Sequence, residues 1–155
     1  MEQQPILNEH NKQEYPPMHT GELILKATMV KMFGCPRSRN AHIERKKSKC
    51  DYQLAEAPTA EQVAELEARV NEVIDRHLYV TVEFVDRDHV PPEVDLGKLP
   101  ADASETLRLV RVGDYDVCAC AGTHVQNTAE IGSIKIISHD YNDGTWRVRF
   151  KLLEN

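Results

Sequence analysis

Along the chain the apolar positions change period several times, and each change marks an element. Beyond Thr20, apolar residues at Leu23, Ile24, Ala27, Val30 and Met32-Phe33 recur at helical spacing and stop at Gly34, where Cys35-Pro36 forbids continuation. The pattern makes Thr20 the expected N-cap. Strand-like segments Asn40 to Arg45 and Cys50 to Leu54 follow, joined by a Lys46-Lys47-Ser48-Lys49 turn. Thr59-Ala60-Glu61-Gln62 has the form of a capping box. Val63, Leu66, Val70, Val73 and Ile74 then recur at helical spacing, with acids and Arg69 on the opposite face, and predict a second helix. Leu78 to Val85 alternates as a strand does, whereas Asp86 to Ala103, with Pro91, Pro92 and Pro100, reads as a connecting loop in which Asp86, Asp88 and His89 are simply polar. Further strands are predicted at Leu107 to Val112, Asp116 to Ala119, Ser133 to Ser138 and Thr145 to Leu152, with Asn142-Asp143-Gly144 as a hairpin turn. Two helices among many short strands predict an α+β fold, a two-layer sandwich of antiparallel β-sheet and helices. Residues 1–16 show no apolar period and read as a flexible arm; residues 17–155 read as one domain.

Composition narrows the class. An apolar fraction of 41% and a charged fraction of 28% are ordinary for a globular chain, and no apolar run approaches the ~20 residues of a membrane helix. The polar opening Met1-Glu2-Gln3-Gln4 has no apolar core, so a cytoplasmic location is expected. Four unevenly spaced cysteines argue for reduced thiols over a disulfide framework. Neither a phosphate-binding G-x-x-x-x-G-K-[ST] nor a dinucleotide-binding G-x-G-x-x-G occurs, so nothing in the sequence supports amino-acid activation of the synthetase kind. The net charge of −6 argues against nonspecific nucleic-acid binding over the whole surface. Its distribution is uneven: Lys31, Arg37, Arg39, Arg45, Lys46, Lys47 and Lys49 face only Glu44 between positions 31 and 49, a basic stripe able to hold a phosphate backbone locally.

Candidate chemistry is concentrated in Val117-Cys118-Ala119-Cys120-Ala121-Gly122-Thr123-His124, which runs on to Asn127-Thr128-Ala129-Glu130-Ile131-Gly132 between two strand-like segments. Cys120 and His124 are a thiolate and an imidazole four positions apart, a pair suited to zinc if the chain turns between them. Cys118 is expected to be a small core residue. Upstream, Pro17-Met18-His19-Thr20-Gly21-Glu22-Leu23-Ile24-Leu25 carries a second His-bearing segment about a hundred residues earlier. In these two motifs, and in their order, the chain resembles the freestanding alanyl-tRNA editing proteins, relatives of the editing domains of alanyl- and threonyl-tRNA synthetases. The resemblance runs from about Pro17 to near the C-terminus. One departure stands out: Leu23 occupies the position of the upstream motif's second histidine.

The resemblance implies an editing-domain fold and hydrolysis of mischarged aminoacyl-tRNA, Ser- or Gly-tRNA(Ala), in trans. It implies a zinc ion on His19, Cys120 and His124, with Thr20, Glu22 and Thr123 beside it in catalysis. Glu130 is a second carboxylate close to the motifs. The basic stripe would hold the tRNA acceptor end, and a strand position beside that stripe makes His42 a cross-strand packing residue. Leu23 supports an alternative of a different class, a degenerate editing fold that binds RNA or a partner without catalysis. A structural zinc site would need Cys118 as a fourth ligand.

Overall fold

Helix α1 (Pro16–Phe33) begins earlier than the apolar pattern predicts. Pro16 and Pro17 occupy its first turn, where the missing N–H costs nothing and the ring presets the backbone, so the prolines open the helix that they were expected to precede. Thr20 is therefore interior to α1; the N-cap is Tyr15, without a side-chain cap bond. The other end is as expected: Gly34 takes the left-handed conformation at φ 66° and its N–H closes on the Val30 carbonyl. The computed structural model describes residues 15–36, 40–43, 47–86, 106–119 and 123–153.

The remaining elements are β1 (Asn40–His42), β2 (Ser48–Gln53), α2 (Ala60–Ile74), β3 (Val80–Asp86), β4 (Thr106–Val112), β5 (Asp116–Ala119), a 3-10 turn (Thr128–Glu130), β6 (Ser133–Asn142) and β7 (Thr145–Leu153). The α+β architecture of helices on antiparallel sheet is borne out. Among the described residues the strands divide into two sheets, one of order β1-β2-β7-β6 and one of order β3-β4-β5, every neighbouring pair antiparallel. Strand β2 takes in Ser48 and Lys49, which the sequence assigns to a turn, because both pair with β7. Strand β6 runs on to Asn142 past a bulge between Ile136 and Ser138, and turns into β7 through Asp143 and Gly144, both at positive φ.

Helix α2 starts on the capping box read from its sequence: the Thr59 hydroxyl accepts from the Gln62 N–H, and the Gln62 side chain accepts from the Thr59 N–H. Its inward face (Leu66, Val70, Val73, Ile74) joins the core, while two polar side chains finish the edge of β6. Asn71 both donates to the Ile134 carbonyl (3.0 Å) and accepts from the Ile134 N–H (2.7 Å), and Glu67 accepts from the Ile136 N–H. An edge strand is thereby closed to further pairing along that stretch.

Helix α1 is the centre of the packing. From Thr20 to Met29 every residue is buried, so the helix is enclosed on all sides; the one-sided apolar pattern of its sequence understates this. It shares one core with Tyr52 and Cys50 of β2, Trp146, Val148 and Phe150 of β7, and Val110 and Val112 of β4. Near its C-terminal end the Thr28 hydroxyl gives its one proton to the Ile24 carbonyl, so that Tyr115, in the β4–β5 turn, donates to Thr28 at 2.6 Å. This bond fixes one end of α1 against the three-stranded sheet. Among the described residues, no helix is long and apolar enough to cross a membrane.

Candidate functional site

The opposite end of α1 carries the upstream motif, and the fold brings it to the downstream one. His19 and His124, more than a hundred positions apart in sequence, stack with ring centroids 4.5 Å apart and planes 19° from parallel. Thr20 ties the two segments together: its hydroxyl lies 3.0 Å from His124 Nδ1 and accepts from the Val125 N–H at 3.2 Å, in a wholly buried position. His19 Nδ1 lies 3.3 Å from the Thr123 carbonyl. A carbonyl only accepts, so Nδ1 of His19 carries a proton and the ring's lone pair stands on Nε2. That is the tautomer of a metal-binding histidine oriented by a backbone carbonyl.

The downstream segment is held by a set of local bonds that the sequence disguises as chemistry. Asn127-Thr128-Ala129-Glu130 is a capping box on the 3-10 turn: the Asn127 side chain accepts from the Ala129 N–H, and Glu130 accepts from the N–H groups of Gln126 and Asn127. Thr128 donates to the Ile74 carbonyl at the end of α2 and accepts from the Leu78 N–H. Backbone bonds from Val80 to Gln126 and from Thr128 to Leu78 stitch the same segment to the entry of β3. Asn127, Thr128 and Glu130 thus set the height at which His124 meets His19. The N-x-x-E spacing was the signal that could have revealed it.

The other predicted site residues fall as follows. Thr123 is exposed beside the imidazole pair. Glu22 is buried, its carboxylate 3.1 Å from the Lys26 ammonium and 3.8 Å from the Cys50 thiol, which donates to it. That cluster lies in the interior between α1 and β2. Burial first, and the Glu22 charge second, push the Cys50 thiol well above its ordinary value. Leu23 belongs to the main core at 2% exposure and offers no donor to the pair. Cys118 is a core residue, as expected. Cys120, Ala121 and Gly122 lie outside the described residues, as do Arg37, Arg39, Arg45, Lys46, Asp88 and His89. Of the basic stripe, Lys31 lies over the Tyr115 ring at 4.7 Å, near the far end of α1 from His19. Lys47 and Lys49 are exposed at β2, and His42 is exposed opposite Lys49.

For a metal, the described residues contribute two fitting donors, His19 and His124; among them no group of three His, Cys, Asp or Glu side chains is arranged to hold an ion. A third donor would have to be Cys120, which follows Ala119, the last residue of β5.

Residues 107–149, from β4 into β7, match the family described as threonyl and alanyl tRNA synthetase second additional domain. The chain is 30% identical over 151 residues to an alanine–tRNA ligase of Methanococcus vannielii, covering 93% of this chain and 17% of the relative. It is 38% identical over 112 residues to that of Hyperthermus butylicus (69% and 12%). It is 34% identical over 136 residues to the alanyl-tRNA editing protein AlaX-L of Pyrococcus horikoshii (86% and 32%). It therefore spans about a third or less of the length of these relatives. With two histidine motifs joined through Thr20 and a matching second additional domain, the chain belongs to the family of the alanyl-tRNA editing proteins and the related domains of alanyl- and threonyl-tRNA synthetases.

Proposed function

We propose that the protein is a tRNA-editing hydrolase that cleaves the ester joining a wrongly attached amino acid, serine or glycine, to the 3′ end of alanine tRNA, in the cytoplasm. The observation that carries this reading is the junction of the two motifs, His19 stacked on His124 with Thr20 bonded to the latter. A buried hydroxyl spent on aligning an exposed-side imidazole is preorganisation of the kind a reaction site needs. The relatives' printed functions, alanine–tRNA ligase and alanyl-tRNA editing, supply the substrate class.

In this reading His19, His124 and Cys120 hold a zinc ion. Zinc there supplies Lewis-acid polarisation of the ester and a water of lowered pKa. The Thr123 carbonyl fixes the His19 tautomer; Thr20 fixes the rotation of the His124 ring. Thr123, exposed beside the pair, contacts the hydroxyl of a seryl group, and a polar contact of that kind discriminates better than size alone. Glu22, committed to Lys26 and Cys50, acts by holding α1 in place. The basic stripe, with Lys47 and Lys49 exposed, contacts the phosphates of the acceptor end.

The test is deacylation of Ser-tRNA(Ala) and Gly-tRNA(Ala) together with zinc content in protein purified without added metal. Hydrolysis lost in His124→Ala and about one zinc per chain support the proposal; no hydrolysis with zinc supplied refutes it. A second reading, an RNA- or partner-binding module without catalysis, is favoured by one specific observation, the burial of Leu23 where a second upstream histidine would stand. It predicts RNA binding that survives His124→Ala with no hydrolysis at any zinc concentration.

A further inference from the structure

On the outer face of the four-stranded sheet, the register sets like charges against one another. Lys135 of β6 is the direct partner of Lys151 of β7, and Arg149 of β7 is the direct partner of Lys49 of β2. Cations directly opposite each other on adjacent strands repel and weaken a sheet. The carboxylates paired into this face answer the arginines and leave the lysines. Asp51 is committed to Arg147 through two bonds of 2.7 and 2.9 Å, and Asp140 lies 3.0 Å from Arg149. Among the described residues, no ion pair reaches Lys49, Lys135 or Lys151, and all three are exposed. A chain of net charge −6 thus gathers on one face three lysines that no ion pair among the described residues reaches.

The strip also has a direction. Leu152, next to Lys151, comes within 3.6 Å of the position a Cβ on Gly21 would take, and Gly21 follows His19 and Thr20 on α1. Successive strand residues point to opposite faces, so the Lys135–Lys151 pair lies at the end of the sheet nearest the start of α1, on the face turned away from that helix. The Lys49–Arg149 pair stands one outward-facing row back, about 7 Å along the strands, and four strands spread the face over roughly 15 Å. A strand-held array of this size relieves its own repulsion when a polyanion lies across it.

We infer that this outer sheet face binds the phosphate backbone of a double-helical RNA through Lys135, Lys151 and Lys49, so that its unpaired 3′ end passes around the end of the sheet toward His19 and His124. The inference rests on the RNA substrate of the proposed function and extends the basic stripe to β6 and β7, where no motif pointed. Recognition is of shape and charge: the contacts go to phosphates, without base readout.

The test uses the full chain and an RNA hairpin carrying an acceptor-type stem and an unpaired 3′ end, with binding followed by fluorescence anisotropy between 50 and 200 mM salt. In the triple variant K49Q/K135Q/K151Q the slope of log K against log salt becomes shallower by about one per lysine, and affinity at the low-salt end falls on the order of tenfold or more. The variant melts at or above the wild-type temperature at low salt, since like-charge pairs are removed; weakened binding is then not unfolding. Wild-type hydrolysis with an unchanged slope in the variant overturns the surface and leaves the proposed function standing. Failure of the wild-type chain both to bind the hairpin and to hydrolyse its ester overturns both. Anionic vesicles bound in preference to the hairpin, with the same lysine dependence, also overturn the RNA assignment.

Discussion

Replacing Thr20 by Val keeps the shape of the side chain and removes only its hydroxyl, which isolates the bond that joins the two motifs. The hydroxyl serves two partners, the Val125 N–H at 3.2 Å and His124 Nδ1 at 3.0 Å, from a position with 0% exposure. Val125 is itself buried, so its N–H is left without a partner, at a cost of about 1–3 kcal/mol; the lost imidazole bond adds about 1 kcal/mol. A loss of about 2–4 kcal/mol lowers the melting temperature of a domain this size by roughly 5–10 °C. Thr20→Ser keeps the hydroxyl and loses one methyl group, worth about 1 kcal/mol. Urea unfolding of wild type, Thr20→Val and Thr20→Ser is the assay for stability, and single-turnover deacylation of Ser-tRNA(Ala) the assay for function. Because ~1.4 kcal/mol of misalignment is a factor of ten in rate, Thr20→Val is expected to slow hydrolysis by one to two orders of magnitude, with Thr20→Ser near wild type. If Val proves as stable and as active as Thr while Ser is the damaged variant, the methyl group matters and the hydroxyl bridge does not.

Other perturbations bear on the same helix. Leu23→His buries an imidazole in the core and costs about 2–4 kcal/mol without metal; added zinc raises its melting temperature in a concentration-dependent way if residue 23 can join His19 and His124, and a zinc-independent melt would show that it cannot. Glu22→Gln removes the carboxylate charge that faces the buried Lys26 ammonium, with an expected loss of about 3–5 kcal/mol, measured by urea unfolding; a loss under 1 kcal/mol would mean that the pair is not sealed from water. The raised Cys50 pKa gives a signed pH dependence. Above the ordinary thiol value of 9.0 the unfolded chain ionises while the folded thiol stays protonated, so its contribution to stability is complete below that pH and declines as pH rises through the alkaline range. Cys50→Ala should therefore flatten the alkaline fall of the unfolding free energy, and an identical slope in the two proteins would refute this. Glu130→Ala removes both N–H acceptances at the 3-10 turn and is expected to cost about 1–2 kcal/mol and to slow deacylation, whereas full activity would separate the turn from the site.

Where bonding is local, the fold could be read from the chain. The Thr59–Gln62 box, the Gly34 stop and the Asp143-Gly144 turn each involve residues within a few positions of one another, and all appear where expected. The start of α1 was misplaced for a local reason as well, since Pro16 and Pro17 act as first-turn residues as readily as helix breakers. Asn127 and Glu130 form a legible N-x-x-E cap, but they stand within the segment where the candidate chemistry is concentrated. The division of the strands into two sheets, and the burial of Glu22, Lys26 and Thr28 within α1, depend on partners drawn from distant parts of the chain.

Periodicity, capping and motif spacing are properties of neighbours, so most elements, the order of the two histidine motifs and the family can be read from the chain. That Thr20 bridges the motifs, that His19 stacks on His124, and that Glu22 is spent on Lys26 and Cys50 follows from packing between distant segments. The same packing sets Lys135 against Lys151 and Lys49 against Arg149. The alternation of Arg147, Arg149 and Lys151 is visible in the chain, but whether a neighbouring strand answers with acids or with more cations is a matter of register, and register is fixed by which residues the core buries.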